Sequence, residues 1–178
     1  EKGTAMIEVN SETDFVAKNE TFQEFVRDLL NVILNTRPAN VEALMAAQYN
    51  GDITVEAALK EKIFTIGEKL SIRRFELIDG ITSTYIHGMG SIGVVTLFDT
   101  DCADKEGFAE FARNISLQIG AYVTPYLDRD HVPASVIAAE KEILLAQISN
   151  DPAMAKKPDA IKAKMVEGRI SKFYDNNC

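Results

Sequence analysis

Long apolar runs, cysteine, histidine and clustered basic residues are all scarce in this 178-residue chain. Each scarcity removes a kind of function. No stretch approaches the roughly 18 to 20 apolar residues of a membrane helix, so no membrane span is expected. The two cysteines, Cys102 and Cys178, are too few for a disulfide framework or a thiolate metal set, and free thiols in a reducing compartment are expected. The two histidines, His87 and His131, leave little for a metal centre or an acid–base pair. Nineteen Lys and Arg face 27 Asp and Glu, for a net charge of -8, and no basic block breaks that balance. Direct nucleic-acid binding is therefore not expected, since phosphate contact needs a basic footprint. An acidic surface can still steer a basic protein partner.

The chemical motifs are missing too. Gly88, Gly90 and Gly93 surround a turn between strands, whereas a dinucleotide fingerprint follows a strand and opens a helix. No glycine loop leads into a Lys-Ser or Lys-Thr pair. Asp101, Asp104 and Glu106 lack the turn glycine and closing Glu of a calcium loop. Nothing resembles a nucleophile elbow. A hydrolase built from Asp101, His87 and a hydroxyl is the one enzymatic alternative left by counting. The expectation is a non-catalytic interaction protein without a cofactor.

What is present is amphipathic pattern. With 46% apolar residues, the chain can fill one sizeable core or two small ones. Ala5–Val9, Arg73–Asp79, Ile81–Ile86 and Ile92–Phe98 read as strands, and the glycine-rich turn from His87 to Ser91 joins the last two as an antiparallel hairpin. Thr21–Leu34 puts Phe22, Phe25, Val26, Leu29, Leu30 and Ile33 on one helical face, with Thr21 and Glu24 resembling a capping box. Short helices are expected at Val41–Ala47 and from Val55, capped by Thr54, and a further helical turn from Ile66 to Leu70. Later helices are expected at Gly107–Ile119, Val132–Gln147 and from Pro158 or Asp159 to Tyr174, the last packing through Ile161, Met165, Ile170 and Phe173.

The pattern repeats at an offset of 86 positions, which brings Val9 onto Val95, Phe22 onto Phe108, Phe25 onto Phe111, Arg27 onto Arg113 and Ile33 onto Ile119. The expected fold is α+β: two related subdomains, 1–75 and 76–178, each a small antiparallel sheet packed against helices. Only the first copy carries an aromatic in its strand-to-helix connection, at Thr13-Asp14-Phe15-Val16; the second has Asp99-Thr100-Asp101-Cys102 there. Phe15 either folds back on its own core or anchors a partner, as interface aromatics do. Asp14 can cap backbone amides or meet a partner cation.

The same residues carry a resemblance. Glu8-Val9-Asn10, then Thr13 through Asn19 and Phe22, closely resemble the signature of bacterial and organellar elongation factor Ts. Four further segments are similar to that family in order: Gly67-Glu68 with Ile72-Arg73-Arg74, Tyr85-Ile86-His87-Gly88 with Ile92-Gly93-Val94, Ala112–Ile119, and Lys164–Arg169 with Lys172-Phe173. The resemblance implies a guanine-nucleotide exchange factor for elongation factor Tu. It implies that Phe15 wedges between helices of the partner's nucleotide-binding domain, positioned by Asp14. Thr13, Val16, Lys18 and Asn19 would shape that surface, and His87 and Gly88 would lie on the partner-facing side. It further implies a core without the family's ubiquitin-associated-like N-terminal domain and without its C-terminal end. The expected location is the bacterial cytoplasm, or an organellar matrix or stroma in a eukaryote. A non-exchanging scaffold is the alternative, and a homodimer is compatible with either.

Overall fold

The computed structural model describes residues 3–122 and 124–178. The fold is α+β, with the chain divided into two compact units, residues 1–121 and 122–178. In the first unit, β1 (Thr4–Asn10) pairs antiparallel with β4 (Ser71–Ile78), from Thr4 opposite Ile78 to Asn10 opposite Ser71, with a register shift between Glu8 and Val9. The one-turn α1 (Asp14–Ala17), the long α2 (Glu20–Thr36), α3 (Val41–Ala46), the two short strands β2 (Gln48–Asn50) and β3 (Ile53–Thr54), and α4 (Val55–Ile66) lie between these strands in sequence.

The apolar stripe of α2 explains its burial. Phe22, Phe25, Leu29, Val32 and Ile33 fall on one face and enter a core shared with Leu44, Val55, Ala58, Leu59, Leu70 and Ile72, the period-3.6 pattern of a helix against a sheet. Ala5, Ile7 and Val9 of β1 and Phe75 and Leu77 of β4 pack on the same core. Their alternate spacing puts one face of the sheet inward.

Beyond β4, β5 (Ile81–His87) and β6 (Ile92–Phe98) form an antiparallel pair across the expected glycine turn, running from Ile81 opposite Phe98 to His87 opposite Ile92. Thr4 and Thr82 join the two sheets through a 2.6 Å hydroxyl contact. α5 (Phe108–Ala121) covers the hairpin with Ala112, Ser116 and Gly120. Buried Ser116 satisfies its hydroxyl through Thr96 Oγ1 at 3.0 Å and the Ala112 carbonyl at 3.1 Å. Here the repeat departs from expectation. Phe111 and Ile119 align with the buried Phe25 and Ile33 yet are 56% and 47% exposed. The small residues one position later face the sheet, which lets the helix approach closely.

The second unit contains α6 (Ala134–Asn150) and α7 (Asp159–Asn177), packed through Leu144, Ile148, Val166 and Ile170. α6 begins only after Pro133, whose ring suits a helix entry better than the interior. Ile161, expected to pack, is 45% exposed, and Val166 takes the buried place. At the start of this unit Asp128 accepts the Asp130 and His131 amides at 2.9 and 3.1 Å and contacts His131 Nδ1 at 2.7 Å. Arg129 pairs with Asp175 at 3.0 Å and lies over the Tyr174 ring.

Among the described residues no helix is long and apolar enough to cross a membrane. Cys102 and Cys178 are free thiols.

A strapped aromatic turn as the candidate functional site

The connection from Thr13 to Asn19 is not an irregular loop. Thr13 caps the turn α1, its Oγ1 accepting the Val16 amide at 3.4 Å. The amides of Ala17, Lys18 and Asn19 donate back to Thr13, Asp14 and Val16 carbonyls. Val16 and Ala17 point partly into the core. Phe15 points away and is 81% exposed, so it is not folded back on its own core.

Asp14 and Lys18 are one turn apart and form an ion pair of 2.6 Å. The Lys18 ammonium holds the Asp14 carboxyl below its usual range, chiefly through that hydrogen bond and then through its charge. Asp14 therefore flanks Phe15 as an anion at neutral pH. Asn19 ends the turn and begins the next helix: its Oδ1 accepts the Thr21 amide at 2.8 Å, making it the cap of α2. Thr21, expected as the cap, sits inside the first helical turn, because Asn19 already satisfies the leading amide.

What fixes this turn comes from a distant part of the chain. Gly67 ends α4 in the left-handed conformation (φ 81°), its amide donating to the Ile63 carbonyl. This is the usual helix-ending role of glycine. The expected helical turn from Ile66 to Leu70 is therefore absent, and the chain leaves the helix at Gly67. Glu68 follows and grips Thr13 twice. The Thr13 amide donates to Glu68 Oε2 at 3.0 Å, and the Thr13 hydroxyl to Glu68 Oε1 at 2.6 Å. In return the Lys69 amide donates to Glu12 Oε2 at 3.2 Å. Two carboxylates thus lace the segment before Phe15 to the segment after α4.

His87 and Gly88 lie at the tip of the β5–β6 hairpin. The Tyr85 hydroxyl is 2.9 Å from His87 Nδ1, and the two rings stack at 6.0 Å. They share a face because they are two residues apart on a strand. Gly88 has φ 56°, and a Cβ there would collide with Ser91 Oγ. Met89 adopts φ 55° without being glycine. Ile86 and Met89 beside His87 are exposed. No hydrogen bond, ion pair or ring contact among the described residues joins this tip to the Phe15 turn.

Glu68 carries no local signal for its role, since its partner is 55 positions away in sequence. Phe64 is 90% exposed on α4. Periodicity could have found it, because it falls off the stripe of Val55, Ala58, Leu59 and Ile63. Elsewhere, a shallow polar groove of about 260 Å³ is lined by residues of α2 and β2, among them Asp28 and Tyr49. Burial, then the Asp28 carboxylate at 2.7 Å, pushes the Tyr49 phenol up. Among the described residues no three His, Cys, Asp or Glu side chains gather to hold a metal.

The turn thus presents an exposed ring beside a paired carboxylate on an α+β fold. Residues 12–178 match the sequence model of the family described as Elongation factor TS. The chain belongs to that family. It is 40% identical over 177 residues to Elongation factor Ts of Syntrophotalea carbinolica. It is also 40% identical over 181 residues to Elongation factor Ts of Trichlorobacter lovleyi. In both cases the match covers 97% of this chain and 57% of the relative, so the chain spans little more than half the length of these curated relatives.

Proposed function

We propose that this chain is a guanine-nucleotide exchange module that promotes GDP release from elongation factor Tu, with Phe15 as its wedge. The observation that carries the reading is an 81% exposed phenyl ring on a capped helical turn. Burying such a ring in a partner recovers roughly 1.5–3 kcal/mol. Because the turn is internally hydrogen-bonded, less ordering entropy is lost on contact. The family membership supports the partner.

The mechanism is differential binding. Phe15 fits between the partner's helices only when these have moved to a state that holds magnesium and phosphates poorly, so contact shifts the partner toward that state. Asp14, paired with Lys18, fixes the approach of the ring. Thr13, Val16 and Asn19 shape the turn, and His87 and Gly88 form a second contact on the hairpin tip. No covalent step is involved, and the chain acts as an exchange factor rather than an enzyme. Residues 1–75 and 76–178 are the two related core subdomains of this reading, although β4 (Ser71–Ile78) crosses that boundary and the β5–β6 hairpin with α5 falls in the first compact unit. The bacterial relatives support a cytoplasmic location.

GDP release is the test. Fluorescent GDP loaded on elongation factor Tu is chased with unlabelled nucleotide, with and without free magnesium. The parent chain accelerates release. Phe15→Ala folds normally and accelerates it about tenfold less or worse, as loss of a buried aromatic anchor does. Equal rates at matched binding would remove the wedge. Binding without any acceleration by the parent would favour a non-exchanging scaffold.

A further inference from the structure

We infer that Glu68 is a positioning residue that presents the Phe15 wedge, an inference that rests on the exchange reading above. α1 is one turn long and has no fully buried residue, so it cannot hold its own orientation. A four-residue helix has almost no intrinsic stability in water. Its inner side is guided by Val16 and Ala17, which are only partly buried. The orientation is completed at its leading end, where both oxygens of the Glu68 carboxylate take hydrogen bonds from Thr13.

The geometry makes this contact more than a surface hydrogen bond. Thr13 is the cap of α1, so its hydroxyl accepts from Val16 while donating to Glu68. Cap and strap act through one oxygen. The donor bonds reach an ionised acceptor, which strengthens them relative to neutral pairs. Gly67, in the left-handed region, turns the chain so that Glu68 meets Thr13. The Glu12–Lys69 contact repeats the link in the opposite sense. Glu68 never needs to touch the partner. It fixes the direction in which Phe15 leaves the core.

The test separates orientation from exchange. Amide hydrogen exchange of the free chain is followed by NMR for the parent, Glu68→Ala and Glu68→Gln. Glu68→Ala speeds exchange at Thr13, Ala17, Lys18 and Asn19 about tenfold, while Phe25 and Leu29 in α2 keep the protection of global stability. GDP release by the same variant slows about three- to tenfold, the scale of one net intramolecular hydrogen bond. Glu68→Gln keeps an acceptor for the Thr13 amide and falls between. Should Glu68→Ala fail to fold, Glu68→Gln carries the same comparison. A double variant with Thr13→Val slows release by less than the product of the two single effects, because both variants lose the Thr13 hydroxyl bond to Glu68.

Unchanged turn amides in Glu68→Ala overturn the inference. So do loosened amides with parental GDP release, provided Phe15→Ala remains defective in parallel. If Phe15→Ala itself matches the parent, the exchange reading fails and the positioning role falls with it. A residue that merely stabilised the fold would lower the melting temperature and loosen α2 together with the turn, which also overturns the inference.

Discussion

Single residues in this chain are set by what their polar atoms reach. Glu8 lies on β1 where Arg73 and Arg74 of β4 both reach its carboxylate, at 2.9 and 2.7 Å. The Arg73 hydrogen bond first, then that of Arg74, hold the Glu8 carboxyl down to about 2 from an ordinary 4.5. Folding therefore favours ionised Glu8. Its contribution to stability is complete above pH 4.5 and is lost as the pH falls from there through about 2. Glu8→Gln has no such proton to take up. Urea midpoints measured across this window should fall less steeply for Glu8→Gln than for the parent. Parallel slopes would mean that the two arginines hold Glu8 no more tightly in the folded chain than in the unfolded one. At the same scale, the exposure of Phe15 follows from the direction of a single turn, which places Val16 and Ala17 inward and their neighbour outward.

Elements depend on how their ends are closed. Asn19 closes α1 and caps α2 at once, its amide donating to the Val16 carbonyl while its side chain accepts from Thr21. Asn19→Ala should cost about 1 kcal/mol, the usual loss for a removed cap, and Asn19→Asp should retain most of it. Chemical denaturation of the three proteins checks this, and an unchanged Asn19→Ala midpoint would show the cap to be idle. The same element shows what the sequence reveals. The stripe from Phe22 to Ile33 is legible because burial on one face must repeat every 3.6 residues. The cap is harder, since Thr21 with Glu24 satisfies the local pattern and only geometry selects Asn19. Thr54 was legible because its oxygen reaches the Ala57 amide within its own turn. The hairpin of β5 and β6 was legible from its glycines. The short pair β2 and β3 was not, since two or three residues carry no alternation. The inward face of α5 is not legible, because Ala112, Ser116 and Gly120 have little hydrophobic signature, though their small size is what admits the sheet. Phe15 could be singled out as an aromatic in a polar connection. Its strap to Glu68 could not, because hydrogen bonds between distant segments leave no period in the sequence.

At the scale of the molecule, the described residues form two clusters of buried apolar side chains, and this governs how damage spreads. The larger centres on α2, with Phe25, Leu29 and Ile33 fully buried, while α6 and α7 rely on Leu144, Ile148, Val166 and Ile170. A unit as short as residues 122–178 buries a small share of its surface and is marginal when its core is small. Ile148 is the one member of that core with no exposure at all. Ile148→Ala removes three carbons from a site with few neighbours able to fill the gap, at a cost of about 2–5 kcal/mol. That is enough to open a marginal helical pair. Amide exchange should therefore lose its protection across α6 and α7 in this variant, while Phe25 and Leu29 stay protected. GDP release would then report whether the helical pair contributes to exchange while the Phe15 turn remains in place. Loss of protection in both units together would show that the two cores unfold as one, and the assignment of separate stability would fail.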